Sequence, residues 1–352
     1  MTEVEQKRHW RSALTIITIL ALVGLAYAVR HQINDTLHNI GRVNTWWLLM
    51  IIPIEMGNYY AQACLYHGLF RVLGERFRLK PLYRLALELN FVNNVFPSGG
   101  VTGFSYLRAR VKDEGVSTAK STLVQMMRFI MMFISFQILL VIGLLALAIG
   151  GQANDFTLLV SGSIATLLVV LTLTLTYIIG SKSRINGFFT LITQLVNKII
   201  HIVRPGHPET INIHKARGMF DELHENYMHI RRNFGVLKRP LIFALLANMT
   251  EIAAIYSVYM AFGKFVNPGA VILAYAVANS AGLISVLPGG VGIYEALMTG
   301  VLAAGGVPAA LSLPVTVMYR IISMLVQLPP GYYFYQRSLH GNPIEPIQPT
   351  LD

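Results

Sequence analysis

Apolar residues in this chain fall in long blocks, and the charged residues gather between them. A hydrocarbon core about 30 Å thick takes about 20 helical residues to cross. Six blocks reach that length, roughly 12–29, 45–69, 118–149, 156–180, 240–262 and 308–336, and each predicts a spanning helix. Two further blocks are interrupted. From Pro81 the chain is apolar to Phe96, breaks at Pro97-Ser98-Gly99-Gly100 and resumes at Val101; from Pro268 it runs to Leu287, breaks at Pro288-Gly289-Gly290 and resumes as Val291 to Ala304. Glycines after a proline let the backbone turn sharply, so each break divides a block into two half-helices.

Basic residues orient the blocks. With both interrupted blocks as hairpins (81–115 and 268–305) and a cytoplasmic N-terminus, the inner side holds five Lys and Arg in 71–84, four in 105–120 and ten in 181–240. The outer loops 30–44, 150–156 and 263–268 together hold three. Were the first broken block to cross, 105–120 and 181–240 would both lie outside, against the positive-inside bias. For the second block, charge offers only Arg337 in the tail, so charge alone leaves open whether it is re-entrant or crosses. The expectation is an all-α polytopic protein of the cell membrane, with six full spans, two re-entrant broken-helix hairpins and both termini cytoplasmic.

The halves resemble each other. Phe96-Pro97-Ser98-Gly99-Gly100-Val101 reads against Leu287-Pro288-Gly289-Gly290-Val291, and Thr122 to Arg128 reads against Pro314 to Arg320. Glu55 and Tyr60 have the spacing of Glu251 and Tyr256. Segment one runs inward-to-outward and segment five the reverse, which makes an inverted repeat of four segments each, an arrangement that recurs in transporters. The first repeat is expected over 1–180 with hairpin 81–115. The second begins at span 156–180 and continues over 240–340 with hairpin 268–305, and 341–352 is a tail. Between them, the basic loop 181–239 carries apolar residues at helical spacing in 185–203, the pattern of an interfacial amphipathic helix. Residues 213–234 mix charges like a solvated helix.

Composition agrees with the pattern: 54% of residues are hydrophobic, 13% are charged and the mean hydropathy is +0.54. The net charge of +11 would suggest nucleic acid in a soluble protein. Beside membrane spans it instead holds loops on an anionic leaflet, and no nucleic acid partner is expected. Lys7, Arg8 and Arg11 precede the first block, which reads as an uncleaved span rather than a signal peptide. The single cysteine, Cys64, excludes a disulfide framework and a cysteine metal site.

The breaks are the first candidate chemistry. A half-helix that begins after Gly99 and Gly100, or after Gly289 and Gly290, presents unpaired N–H groups and a positive dipole end, suited to phosphate or carboxylate. Charges inside apolar blocks come next, because each costs roughly 2.5–3.5 kcal/mol on insertion scales and needs a partner or a wet cavity. Arg128 and Arg320 hold related positions in the two halves, and each guanidinium can fork a phosphodiester. Glu295 lies seven residues past Pro288 and could pair with Arg320, couple a proton or meet an amine on a substrate. Substitution of Arg320 or Glu295 is expected to abolish activity without unfolding the protein. Asn93, Asn94 and Asn279 lie near the breaks as cavity-lining candidates, whereas Asn90, Asn248 and Gln125 suit interhelical hydrogen bonds.

Enzyme signatures are lacking. His224 and His229 are five apart and point about 140° apart around a helix, unsuited to one metal. No D-x-D pair, P-loop or G-x-S-x-G occurs. No cofactor, metal or catalytic residue is expected.

The stretch Ile284-Ser285-Val286-Leu287-Pro288-Gly289-Gly290-Val291-Gly292-Ile293-Tyr294-Glu295, followed by Tyr319-Arg320, resembles the transmembrane (flippase) domain of lysylphosphatidylglycerol synthases and their stand-alone relatives. Asn93-Asn94-Val95-Phe96-Pro97, Arg108, Gly115 and Arg128 fit the same pattern. The resemblance covers nearly the whole chain. It implies translocation of aminoacylated phosphatidylglycerol or of a related anionic or polyprenyl-linked lipid between leaflets. Phe104 stands where the first half would mirror Glu295, so the halves need not act alike. No soluble aminoacyl-transferase domain follows Leu339, so the resemblance does not extend to lysyl transfer. The leading expectation is a lipid flippase whose partners are membrane lipids with anionic headgroups. The alternatives are a small-solute or ion transporter, and a membrane scaffold for an envelope-lipid enzyme.

Overall fold

A computed structural model describes residues 20, 23–24, 27, 30–41, 43–96, 101–112, 114–151, 153–187, 190–191, 213–232, 234–282 and 292–339. They form twelve principal helices, in order α1 Arg30–Ile40, α2 Thr45–Leu49, α3 Ile51–Val72, α4 Leu79–Val95, α5 Val101–Lys112 and α6 Thr118–Ile149. There follow α7 Asp155–Ile179, α8 Ile213–Arg231, α9 Lys238–Ala261 after the 3-10 turn Phe234–Leu237, α10 Pro268–Gly282, α11 Ile293–Ala304 and α12 Ala309–Leu339. Four helical stretches, Thr118–Ile149, Asp155–Ile179, Phe234–Ala261 and Ala309–Leu339, are long and apolar enough to cross a membrane. Pro268–Ser280 and Ile293–Ala304 are shorter apolar helices. The regular structure of the described residues is thus helical, and its long apolar helices are those of a membrane protein.

Local chemistry sets the boundaries. The Ser117 side chain accepts from the Lys120 N–H at 3.2 Å and starts α6, and Asn154 and Thr157 exchange bonds of 2.9 and 3.0 Å to start α7. The block predicted over 45–69 is divided at Met50 into α2 and α3. Pro53 lies within the first turn of α3; it cannot donate to the Leu49 carbonyl, and its ring crowds it. The 22 residues of α3 still measure about 33 Å at 1.5 Å per residue. Most of the predicted span 12–29, and all four glycines at the breaks (Gly99, Gly100, Gly289 and Gly290), lie outside the described residues.

Packing is reciprocal between distant parts of the chain. The broadest helix contact joins α3 to α9. Around that pair, α10 lies along α6 while α4 lies along α12. Glycines allow both approaches, as small residues do where helices associate in lipid. A Cβ on Gly143 would stand 3.0 Å from the Leu273 nitrogen, and one on Gly269 would stand 2.7 Å from Ala146 Cβ. A Cβ on Gly331 would stand 2.7 Å from Phe91 Cβ and 2.9 Å from the Leu87 oxygen. Because the obstacle at Gly143 is backbone, Gly143→Val should force α6 and α10 apart and cost roughly 1–3 kcal/mol. Thermal unfolding in detergent should show the lowered midpoint, and an unchanged midpoint would contradict this account of the contact.

Two apolar clusters flank the α3–α9 pair. One joins Leu139, Val258, Val271, Met298 and Val315 from α6, α9, α10, α11 and α12. The other joins Leu65, Leu82, Leu107, Leu123 and Leu223 from α3, α4, α5, α6 and α8. By contrast, α7 turns Leu159, Val170, Leu173 and Tyr177 outward, as a lipid-facing helix does. The limbs of the first broken block are tied by a buried ion pair: Arg110 Nε donates to Glu88 Oε2 at 2.8 Å, joined by Tyr106 Oη at 2.9 Å. Glu88, which the sequence alone allowed near the interface, is 2% exposed.

The polar loop differs from its sequence reading. Within 213–234 the helix α8 is not solvated all round, because Leu223, Tyr227 and Ile230, on one helical face, are buried. Polar contacts complete the docking: Ser117 bonds Glu222, the His224 ring lies 3.0 Å from the Ile179 carbonyl, and Lys182 reaches Glu225 at 3.0 Å. Of the amphipathic stretch expected over 185–203, Ile185 is fully buried, and 192–203 lie outside the described residues.

Candidate functional site

A cavity of about 280 Å³ opens among α3, α4, α6 and α9–α12. Four of these helices, α3, α4, α10 and α12, turn polar residues toward it at four-residue spacing, one above the other on a helical face. Asn58 and Gln62 come from α3, Asn90 and Asn94 from α4, and Tyr275 and Asn279 from α10. Ser323 and Gln327 come from α12 beside Tyr319 and Arg320, and Asn248 and Glu251 from α9. Arg128 enters from α6 above Met132 and Phe136, and Tyr294 from α11. Seven helices thus converge on one polar volume in a largely apolar bundle.

Most of these groups bind one another. Asn94 Nδ2 donates to Asn90 Oδ1 at 3.1 Å, Asn90 Nδ2 to Gln327 Oε1 at 2.9 Å, and Gln327 Nε2 to Glu55 Oε2 at 2.8 Å. On the far side, Tyr275 Oη donates to Asn248 Oδ1 at 2.9 Å and Asn248 Nδ2 to Ser135 Oγ at 2.7 Å. Tyr319 Oη donates to Glu251. Chains of this kind hold side chains in fixed orientations, since every buried polar atom left over would cost free energy.

The two arginines differ. Arg320 bonds Glu295, and both side chains are 7% exposed. Glu295 also accepts from Gln32 Nε2 at 3.0 Å and from the Gly292 N–H at 2.7 Å. Gly292 has φ 88°, a left-handed conformation that glycine adopts without a Cβ penalty, and the carboxylate caps the helix that follows. Glu295 therefore joins α1, α11 and α12, and does not itself line the cavity. Pairing with Arg320 is one of the three roles the sequence left open for Glu295, and the pair is a tie in the fold.

Arg128 has no such partner. Its Nη2 reaches Gln62 Oε1 at 3.4 Å, its guanidinium carbon stands 5.5 Å from the Tyr66 ring centre, and its Nε is buried without a partner. No Asp or Glu forms an ion pair with it among the described residues. Gln62 Nε2 in turn donates to Asn58 Oδ1 at 2.6 Å, and Asn58 Nδ2 donates to the Ala247 carbonyl at 2.8 Å.

Of the residues expected from sequence, Arg128, Arg320, Asn94 and Asn279 line the cavity. Asn279 Nδ2 donates to the Tyr275 carbonyl at 3.0 Å. Asn93 does not line it; its Oδ1 lies 2.7 Å from where a Cβ on Gly103 would stand, so it packs against the α5 limb. Gly99, Gly100, Gly289 and Gly290 fall outside the described residues. Sequence reasoning missed Asn58, Gln62, Ser323 and Gln327, although polar pairs four apart in apolar helices were a readable signal.

Buried helices of spanning length around a polar cavity define a multi-helix membrane protein with an internal polar volume. The family model described as the lysylphosphatidylglycerol synthase TM region matches residues 12–331, and the chain belongs to that family. Its relatives include a UPF0104 membrane protein of Methanothermobacter thermautotrophicus, 38% identical over 97 residues, which are 28% of this chain and 29% of that one. A UPF0104 membrane protein of Pyrococcus horikoshii is 26% identical over 112 residues, covering 32% of this chain and 33% of its own. The match thus spans about a third or less of those two proteins. A third, from Methanocaldococcus jannaschii, is 20% identical over 324 residues, 91% of each chain.

Proposed function

We propose that this protein translocates an anionic lipid between leaflets, holding the headgroup in the polar cavity while the acyl chains stay in lipid. The observation that carries the reading is Arg128, a cation at the cavity wall with no ion-pair partner among the described residues; Glu251, the one carboxylate lining the cavity, instead accepts from Tyr319. A phosphodiester would supply the missing charge and accept from a guanidinium fork. Asn94, Asn279 and Gln327 add neutral groups for the rest of a headgroup. A volume of about 280 Å³ suits a headgroup and excludes a whole phospholipid.

The proposed architecture is six full spans and two re-entrant hairpins in an inverted repeat, in the cell membrane with both termini cytoplasmic. Supporting it, the limb α4 packs on α12 of the other half while α10 packs on α6, with α3 and α9 paired between them. Rocking of such halves about the α3–α9 contact would expose the cavity to each side in turn. The chain acts in this reading as a carrier and not an enzyme, with lysyl-phosphatidylglycerol-type, phosphatidylglycerol or polyprenyl-linked lipid as substrate and an envelope-lipid enzyme as a possible supplier.

A leaflet-exposure assay in proteoliposomes with fluorescent lysyl-phosphatidylglycerol, phosphatidylglycerol and an undecaprenyl-linked lipid tests this. One of the three should move with the protein present and not in empty vesicles. Folded protein that moves none, but carries a soluble anion across, would replace the lipid reading with a solute transporter.

A further inference from the structure

A second cavity, of about 420 Å³, lies between α3 and the start of α9 and shares no residue with the first. Its residues occupy the other side of α3: Tyr60, Cys64, His67 and Arg71, against Asn58 and Gln62 on the inner side. Arg239 faces Arg71 from α9, and neither arginine has an ion-pair partner among the described residues. Gly68 closes the back, since a Cβ there would stand 3.0 Å from Pro240 Cγ. The site is thus a cleft where two helices converge, with two uncompensated guanidinium groups at one end.

Its surroundings are apolar and face outward. Tyr60 is 54% exposed, and Met56 and Ile52 continue the same ridge at four-residue spacing with 58% and 44% exposure. On α9, Leu246 stands seven residues from Arg239, two turns along the same face, and is also exposed. Leu79 and Phe243 wall the cleft near its charged end. That end also adjoins the basic segment 71–84, the side that the positive-inside bias assigns to the cytoplasm. An apolar rail that ends at paired cations near a membrane surface matches the two ends of a phospholipid.

We infer that this cleft is a binding site for one anionic phospholipid of the inner leaflet, its phosphate held by Arg71 and Arg239 and its acyl chains laid along the α3–α9 seam. The site stands independently of the transport reading, because the polar cavity contributes none of its groups.

The test is native mass spectrometry of the full chain in detergent, titrated with dioleoyl phosphatidylglycerol or with phosphatidylcholine of the same chains. Wild type should retain one phosphatidylglycerol at concentrations where phosphatidylcholine does not bind. Loss of both arginines in Arg71→Gln/Arg239→Gln should weaken that binding about thirtyfold. Arg76→Gln/Arg78→Gln, which removes equal charge from the neighbouring loop between α3 and α4, should bind as wild type does. The same comparison in an Arg128→Gln background, where the inner cavity has lost its proposed headgroup cation, should show the same loss of about thirtyfold. Equal binding of the two lipids, or undiminished binding by the Arg71/Arg239 variant in either background, would each overturn the assignment. So would a second copy of the chain filling the seam, seen as a dimer whose formation ignores phosphatidylglycerol.

Discussion

Arg320→Ala is expected to destabilise the protein by about 3–5 kcal/mol, the usual consequence of removing one member of a buried ion pair. The cost arises at Glu295, which would keep Gln32 and the Gly292 N–H as donors but lose its only cation among the described residues. The carboxylate would then remain buried and charged, or take up a proton and weaken the cap on α11. Because Glu295 also joins α1 and α12, the loss should spread through three helices. Arg320→Met combined with Glu295→Gln should recover most of the stability, since the glutamine can still accept from Gly292 and no net charge stays behind. Unfolding temperatures in detergent for the two single variants and the pair decide the matter. An Arg320→Ala protein as stable as wild type would mean that the pair contributes nothing to the fold. Transport lost in Arg320→Ala would therefore say little about substrate contact unless the double variant is measured beside it.

Arg128→Gln should behave in the opposite way. Removing this cation leaves no carboxylate unpaired, and Gln62 keeps its bond to Asn58. The unfolding temperature should hold or rise, because an uncompensated charge inside the membrane is itself costly. Transport, in contrast, should fall about tenfold or more, as hydrogen bonds from a charged donor contribute roughly 1.5–3 kcal/mol to holding an anion. The leaflet-exposure assay at low lipid density reads this directly. Wild-type transport by a stable Arg128→Gln protein would remove the headgroup from Arg128, and with it the main support for an anionic substrate. Arg128→Lys separates charge from shape: a point charge should restore part of the activity, and a required guanidinium fork should not be replaced.

Much of the architecture was readable from the pattern of apolar blocks. Four of the six predicted spans match α6, α7, α9 and α12 within a few residues, because uninterrupted apolar length is a property of the sequence that lipid selects directly. The chemistry of individual side chains was readable in kind but not in role. Arg128 and Arg320 hold related positions in the two halves, and the sequence does not separate their roles. Whether a buried arginine is neutralised depends on which carboxylate folds against it, and Glu295 and Arg320, 25 positions apart in the chain, carry no mark of their contact. The same limit hid α8, whose charges read as solvated until Leu223, Tyr227 and Ile230 found the face of α6 and its neighbours.

What the sequence determined by itself was the solvent: long apolar blocks, basic loops between them and two breaks at proline and paired glycines specify a helical membrane protein, because backbone polar groups in lipid must bond within their own segment. The tertiary structure alone decided which polar residues meet. Helical periodicity places Asn58 above Gln62 or Ser323 above Gln327, but only the packing of α3, α4, α6 and α9–α12 turns those faces toward one cavity. The packing also joins Glu295 to Arg320 and leaves Arg128 with an uncompensated charge. Long-range pairing of that kind is set by the joint geometry of several helices, and no single stretch of sequence contains it.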